Sequence, residues 1–537
     1  MPTRTDPPSA AAPLPADEAG VERDPLGTDM GWGRWLWTVR ILVGLALLLG
    51  FVLRFVARSP LWLDEALSVN IARLPIGSIT GALKLDGHPP LYYVLLHAWL
   101  SLFGDGPVAV RAFSGVWSLA LFPVVWVAAR RLGGHKVAVF AVALLALSPF
   151  AIRYGTETRM YAMVSVLALV GWLLVDDALR KPTRGRLAAI AVVVGLLLWT
   201  HYWAMWLLVA GGIALVVHGL RARRDGRADD QSATVSVLAA FVIGGLAFLP
   251  WLPTLLYQTA HTGTPWARPV RPTEMIVFTL SDFGGGPKPE AVLLGWFFGL
   301  ALVLGVFGRA TGRFLVELDV RSRPEARPFA ILIAGTLAVA SAVGYATGAT
   351  YTTRYAAVFF PFALLLVALG LDRLKSRPVV VSSLACLLLL GGIGGVRNAV
   401  TDRSDARRSV AAIEANGSRG DVVVYCPDQL GPSGSRLLAA GFDQVTYPDF
   451  GQPQQVDWVD YKERLARSDP QAFADRLLAR AGDHRIFLVS SPTYITHRKV
   501  CPALQNAIGS RRAAKLLTSS TDAYEPAQVL LFYPPKQ

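Results

Sequence analysis

Long apolar runs recur from Trp35 to Val396, and they constrain the fold more than anything else in the chain. A bilayer core takes about 20 apolar residues to cross, and lipid leaves no water to satisfy a backbone, so each run reads as a helix. The candidate spans are 35–56, 108–129, 136–152, 160–178, 187–200, 203–220, 234–256, 291–308, 328–346, 355–371 and 379–396. That is about eleven helices by the length rule. "WTHYW" (199–203) interrupts one long apolar stretch and reads as a turn between two of them. Composition agrees: 53% of residues are hydrophobic and only 17% charged, where soluble domains carry about a quarter.

The net charge of +14 could suggest nucleic acid, so its location matters. The connections richest in Lys and Arg are "RRLGGHK" (130–136), "RKPTRGR" (180–186), "RARRDGR" (221–227), "GRATGRFLVELDVRSRPEAR" (308–327) and "DRLKSRP" (372–378). They fall on alternate connections, which makes that side cytoplasmic. Much of the positive charge is therefore topological, and no nucleic-acid partner is expected. The N-terminus is expected inside, with residues 1–34 a disordered cytoplasmic tail rich in Pro, Ala and Asp. Residues 35–396 form the transmembrane domain, and 397–537 an extracytoplasmic domain. "HPPLYYVLLHAWLSLF" (88–103) is apolar, yet counting it as a span would spoil the alternation. It is expected to lie at the outer surface, within a long first outer loop of 57–107.

On this topology the polar motifs gather on the outer face: "LDEALS", "DGHPPLYY", "RYGTETRMY", "WTHYW" and "TYTTRYA". Neighbouring helix positions point about 100° apart, so Asp64 and Glu65 cannot do one job. A carboxylate in a partly dry pocket can take a proton from an attacking hydroxyl. Asp64 is the expected catalytic base and Glu65 its secondary partner; the alternative for Asp64 is an exposed loop acid. Pro89 and Pro90 hold His88 in extended geometry, suited to a phosphate or sugar, or His88 is simply interfacial. With a helix starting near Thr156, Glu157 and Tyr161 would share a face and Thr156 would cap it. Arg153 and Arg159 add positive charge there, for binding or for anchoring only. His201 and Tyr202 sit at an outer turn, and Arg354 and Tyr355 at the outer start of the tenth span. Arg354 can fork onto a phosphate or snorkel to the interface. A transporter would need ionisable residues deep in its spans, and here the spans read as clean.

After Val396 short apolar runs, "DVVVYC" (421–426), "RIFLVS" (485–490) and "QVLLFY" (528–533), alternate with helix-like stretches such as 457–481. This suggests a small α/β domain. Cys386 reads as space-filling inside the last span. Cys426 and Cys501 both fall in the tail, where they are either a disulfide or two separate buried thiols. "GGG" (284–286) reads as a flexible loop.

Taken together, "LWLDEA", "HPPLYYVLLHAWLSLFG", "VRAFSGVWSLALFPVVWVAARRLGG", "LLALSPFAIRYGTETRMYAM" and "WTHYWAMWLL" resemble, in order and spacing, the polytopic GT-C glycosyltransferases. The resemblance is to bacterial members of the dolichyl-phosphate-mannose protein mannosyltransferase family and its aminoarabinose-transferase relatives, a glycosyltransferase family 39-like group. It implies a GT-C membrane enzyme that moves a sugar, mannose first, from a polyprenyl-phosphate donor to a hydroxyl acceptor on the outer face, with inversion. Asp64 and Glu65 match the acidic pair of the first outer loop, His88 the polar position before the paired prolines, and Glu157 and Arg159 the second outer-loop motif. The acceptor is left open among protein, lipoglycan and polysaccharide. An arabinosyltransferase of cell-wall assembly and a lipid-linked-sugar transporter are the alternatives. No cofactor is required by the motifs, although an Asp–Glu pair is compatible with a divalent cation.

Overall fold

The computed structural model describes residues 29–262, 270–348 and 351–535. The helix that carries the first span begins at Asp29 and ends at Leu53; residues 1–28 of the expected tail lie outside the described residues. Among the described residues, seven helices are long and apolar enough to cross a membrane: Pro107–Ala146, Tyr161–Arg180, Ala204–Arg224, Ala228–His261, Pro289–Phe307, Arg327–Thr347 and Arg377–Val400. Shorter apolar helices cover Trp37–Leu53, Leu91–Phe103 and Phe360–Asp372. Each candidate span falls on a helix, but the number that cross is not fixed at eleven. Many outward residues are large and apolar, among them Leu48, Ile213, Val242 and Leu300, as expected of a surface that meets lipid tails.

Several boundaries move for local reasons. Gly133 and Gly134 leave helical geometry, Gly134 at φ 77°, so the run from Pro107 to Ala146 is two helices meeting at "RRLGGHK". The expected span 136–152 is cut at Ser148, whose hydroxyl accepts from the Ala151 amide and starts a new helix, Pro149–Gly155. The glycines at 284–286 form a packed turn between Pro272–Phe283 and Pro289–Phe307 rather than a loose loop. Cys386 is exposed on the outer face of its helix, so it fills no interior space. The spans are not clean either. Arg54 and Arg111 are both buried, Arg54 against carbonyls at the end of Pro107–Ala146 and Arg111 against Glu65.

The segment between the first span and Pro107 folds into three helices, Leu63–Ala72, Ile76–Asp86 and Leu91–Phe103. At 13 residues the last is too short to cross a bilayer core, since a helix rises about 1.5 Å per residue.

A two-stranded ribbon pairs β1 (Gly308–Ala310) with β2 (Val316–Leu318). The tail is an α/β domain with β3 (Val422–Cys426), β4 (Asp443–Thr446), β5 (Ile486–Ser490), β6 (Ala514–Thr518) and β7 (Gln528–Phe532) in the order β4-β3-β5-β7-β6. β3 runs parallel to both neighbours, and β7 antiparallel to both of its own. Burial on both faces explains the unbroken apolar runs of β3 and β5. One face packs on Phe473, Leu477, Leu504 and Ile508, the other on Val410 and Ile413. Edge strands β4 and β6 read as polar or mixed in sequence and were not legible there. The 457–481 stretch is two helices, Tyr461–Arg467 and Pro470–Ala481, separated at Pro470. Cys426 and Cys501 form a disulfide, with Cα atoms 5.7 Å apart, that joins the end of β3 to the helix Val500–Gly509.

The tail sits on the helix Leu63–Ala72. Val456, Trp458 and Tyr461 pack on Trp62, Leu63 and Leu67, and Arg436 Nη1 donates to Asn70 Oδ1 at 3.1 Å. Behind this contact lie buried carboxyls. Burial pushes Asp428 up to about 7, although Tyr461 donates to it at 2.5 Å. Burial likewise pushes Glu525 up to about 8, against hydrogen bonds from Ser404 and Ser433. Burial lowers His497 to about 4. An unfolded carboxyl loses its proton near pH 4, so between there and the native value the folded state holds the extra proton and stability falls as pH rises. His497 acts in the opposite sense, but only below about pH 6.5. From pH 6.5 to 8.5 the carboxyls alone act. Urea-dependent proteolysis of the tail in the full-length protein is expected to shift to lower urea over that interval. Asp428→Asn and Glu525→Gln should each flatten the shift.

Candidate active site

Leu63–Ala72 starts directly after an extended Trp62, with Asp64 and Glu65 in its first turn. The helical offset turns Glu65 inward and Asp64 toward Arg354. Glu65 is 0% exposed. It accepts from Arg111 Nε at 2.8 Å and Nη2 at 2.7 Å, and from the Thr158 amide at 3.2 Å. Arg403 Nη1 stands 3.7 Å away. Burial works to raise this carboxyl; Arg111's charge and hydrogen bonds, Arg403 and the Thr158 amide overcome it and hold Glu65 below the usual range. Asp64 keeps 16% side-chain exposure and pairs with Arg354 Nη1 at 2.8 Å. The two acids thus serve different partners. Among the described residues no cluster of His, Cys, Asp or Glu is arranged to hold a metal ion. The Asp–Glu pair faces two guanidiniums rather than one shared point, so it does not fit the divalent cation its sequence allowed.

His88 is placed by a turn. Gly87 caps Ile76–Asp86 in the left-handed region, φ 87°, which folds His88 back over Asp86. His88 Nε2 accepts from Arg159 Nη2 at 2.8 Å, leaving the proton on Nδ1, which donates to Asp86 Oδ2 at 2.9 Å. Arg159 Nη1 also donates to Tyr93 at 3.1 Å and Ser68 at 3.2 Å. Burial disfavours the charge on Arg159, but Tyr93, Asp64, Tyr161 and Asp86 more than restore it, so the guanidinium stays protonated.

The stretch 153–161 folds differently from its sequence reading. Thr156 caps the C-terminus of Pro149–Gly155, and the next helix starts at Tyr161. Pro149 fixes the earlier start, so Glu157 pairs backward at i, i+4 with Arg153, 3.1 Å, instead of forward with Tyr161. Glu157 is 1% exposed and sits 3.9 Å from Arg403. Tyr161 is buried against Tyr154 and His201.

His201 Nδ1 accepts from the Trp203 amide at 3.0 Å, which puts its proton on Nε2. Burial, then the positive charges of Arg159 and Arg354, hold its pKa well below the usual value, so it is a neutral donor. Tyr202 turns away: it donates to Gln258 and accepts from Trp251 at 2.9 Å. Tyr355 stacks on Trp203 with centroids 5.0 Å apart and meets His201 edge-on.

The fold therefore brings Asp64, His88, Arg159, Tyr161, His201, Arg354 and Tyr355 together, with Glu65 and Glu157 behind them and Tyr202 to one side. Among the described residues, buried polar atoms here without a protein partner include Arg159 Nε, Arg354 Nε, Tyr161 Oη, Glu157 Oε1, Thr158 Oγ1 and Arg403 Nε. Sequence reasoning missed Asp86, Tyr93, Ser68, Arg111 and Arg403. Arg111 carried a signal, since a charge inside an apolar span needs a reason. Asp86 stood in a quoted motif without being singled out. Arg403 gave no signal, because a polar linker full of Arg looks ordinary.

Residues 87–252 match a family model described as dolichyl-phosphate-mannose-protein mannosyltransferase. The structure superposes on ArnT from Cupriavidus metallidurans in the apo state with a TM-score of 0.55 at 14% identity, covering 94% of this chain and 99% of that one. The fold is GT-C. ArnT from the same organism bound to undecaprenyl phosphate gives 0.54 at 15% identity, with 95% and 100% covered. An apo oligosaccharyltransferase from Archaeoglobus fulgidus gives 0.48 at 10% identity, with 90% and 74% covered, and carries no weight here. No curated protein matches the chain in sequence. The family match and the fold bear out the GT-C resemblance and the glycosyltransferase class.

The two acids should separate in stability. Glu65→Gln leaves buried Arg111 and Arg403 without their carboxylate, a loss of about 3–5 kcal/mol for breaking such a pair. Asp64→Asn loses the ion pair with Arg354 at a position that keeps 16% exposure, and the amide oxygen can still accept from Arg354, so its cost is smaller. Thermal melting in nanodiscs is expected to fall sharply for the first and little for the second.

Proposed function

We propose that the protein transfers mannose from a polyprenyl-phosphate donor to a hydroxyl acceptor on the extracytoplasmic face, with inversion, and that Asp64 is the base. One observation carries the reading: the partly exposed carboxylate of Asp64 lies against Arg354, with Arg159 and His201 close by. Glycosyl transfer needs this combination. The acceptor hydroxyl gives up a proton as it attacks the anomeric carbon, and Asp64 takes it. The phosphodiester leaves as a phosphomonoester, and fixed donors stabilise the charge that develops on it.

Arg354 and Arg159 each hold an unpartnered buried Nε. A guanidinium grips two phosphate oxygens at once, so an arriving phosphate competes for Arg354 and releases Asp64 from its ion pair. His201 adds a neutral Nε2–H donor. Glu65 is too enclosed to reach a substrate and holds the helix that aims Asp64. Tyr161 and Tyr355 shape the wall.

A lipid-linked donor also suits the membrane domain. A groove of 810 Å³ runs between the helices Tyr161–Arg180, Arg184–Thr200, Ala204–Arg224 and Arg327–Thr347, lined by residues such as Leu207, Ala214, Ile331 and Leu332. It begins about one turn below the His201 turn and is wide enough for an isoprenoid chain. Undecaprenyl phosphate is the ligand of the similar ArnT structure, and mannose follows the description of the family matched over 87–252. The outward orientation rests on the Arg-rich connections.

The test is transfer from purified polyprenyl-phosphate mannose in nanodiscs, with donor binding measured in parallel. Asp64→Asn is expected to lose about 10²–10⁴-fold in rate while still binding donor. Arg354→Lys, which keeps the charge but loses the fork, should weaken donor binding instead. Near wild-type transfer by Asp64→Asn would remove it as the base. An anomeric product with the donor's own configuration would exclude single displacement.

A further inference from the structure

The tail domain reaches the helix that carries Asp64. Its residue Tyr524 meets Trp62, the residue that starts Asp64's helix, edge-on with centroids 4.9 Å apart at 89°. The Arg153 guanidinium also lies 5.3 Å from the Tyr524 ring, and Arg153 is bonded to Glu157. Even so, Tyr524 is 61% exposed. The charge of Asp64 acts on Tyr524, on Tyr494 and on Glu525, all of the tail.

The loop that carries Tyr524 is built rigidly. Asp405, buried, accepts from the Thr521 amide at 2.9 Å, the Thr521 hydroxyl at 2.7 Å and the Ala527 amide at 3.0 Å. The Glu525 amide donates to the Arg403 carbonyl at 2.8 Å, and the Asp405 amide to the Glu525 carbonyl at 3.0 Å. Ser433 donates to the Glu525 side chain at 3.0 Å. Arg403 in turn clamps Thr156 at 2.7 and 3.0 Å. The ring is pinned from both sides of its own backbone and touches Trp62 and Arg153, yet most of its surface is left open beside the helix of Asp64. Fixed aromatic anchors of this kind mark recognition surfaces.

We propose that Tyr524 is the acceptor platform of the active site and that the acceptor is a glycan, whose sugar ring lies on the open tyrosine face with a hydroxyl directed to Asp64. The proposal rests on the glycosyl-transfer reading of the site. The chemistry selects the class. A sugar ring offers a flat patch of C–H bonds to an aromatic face and a rim of hydroxyls, and the rim here meets Asp64 and Arg153. A serine or threonine side chain has no ring to place there. A lipid tail would need an apolar surround, and Tyr524 stands among charged groups above the first outer loop. The tail, for which no motif gave a role, thereby becomes the part of the enzyme that selects the acceptor.

The experiment uses the full-length protein in nanodiscs and octyl α-mannoside, octyl α-arabinofuranoside and octyl β-galactofuranoside as probes. Glycoside binding is read by saturation-transfer NMR without donor, and donor affinity separately. At least one probe is expected to bind, with saturation concentrated on its ring protons. Tyr524→Ala should weaken that binding about tenfold, the weight of one aromatic contact, with Tyr524→Trp restoring it and donor affinity unmoved. Unaltered glycoside binding in Tyr524→Ala overturns the platform. So does a loss confined to the donor, which would assign the ring to the donor's sugar. Failure of every probe to bind the wild type, together with transfer to a threonine-containing peptide, overturns the glycan class. If the wild type transfers from no polyprenyl-phosphate sugar, the transfer reading falls, and the NMR result alone then judges the platform.

Discussion

The site depends on one buried ion pair. Glu65 and Arg111 meet through two hydrogen bonds of 2.8 and 2.7 Å in a place closed to water. Such a pair recovers its desolvation cost only if the remaining lone pairs and N–H groups are also satisfied. Here they are: Arg111 donates to the carbonyls of Ala57, Ser59 and Pro60, and Glu65 accepts from the Thr158 amide. Four separate stretches of chain are joined at this point: the end of the first span, the helix of Asp64, the helix Pro107–Ala146 and the turn before Tyr161. Arg403 adds a fifth, the linker to the tail. With Glu65 fixed inward, the 100° helical offset leaves Asp64 one direction to face.

The arginines divide into two sets by what they bond. Arg54 donates to the carbonyls of Gly50, Leu145 and Ala146 and to Ser118. It closes a helix end at a place where the chains nearly touch; a Cβ at Gly50 would fall 2.1 Å from the Ala146 carbonyl oxygen. Arg54, Arg111 and Arg403 spend themselves on the protein's own carbonyls and carboxylates. Arg403 also keeps one buried donor, its Nε, unspent, as do Arg159 and Arg354, and of these three only Arg354 pairs with Asp64. Fixed cations that keep a donor stabilise charge that appears only during reaction, because they need no reorganisation when it does.

The tail is welded to this centre rather than tethered to it. Arg403, Ser404 and Asp405 lie between the last membrane helix and the first helix of the tail, and the same three residues bond the turn before Tyr161, the Ser59 hydroxyl and the loop around Glu525. Asp64, Arg159, Arg354 and the exposed Tyr524 are therefore positioned by a single connected network. A change in tail packing has a short mechanical route to Asp64.

The sequence by itself determined the helical membrane class, the α/β character of the tail and the set of motifs that meet at the site. Periodicity and length encode these, because a segment's apolar pattern depends on the solvent around it and not on its distant neighbours. It also carried the GT-C resemblance, through motif order. The tertiary structure alone decided what each polar residue does. Asp64 and Glu65 look equivalent in "LWLDEA", yet Arg354 and Arg111, distant in the chain, give one to the cleft and the other to the core. Tyr202 looked like His201's companion until Gln258 and Trp251 took its hydroxyl. Arg403 and Tyr524 were silent, since neither polar linkers nor tail tyrosines stand out by pattern. A charge's role is set by its partner and by the water removed around it, and both come from segments that only folding brings together.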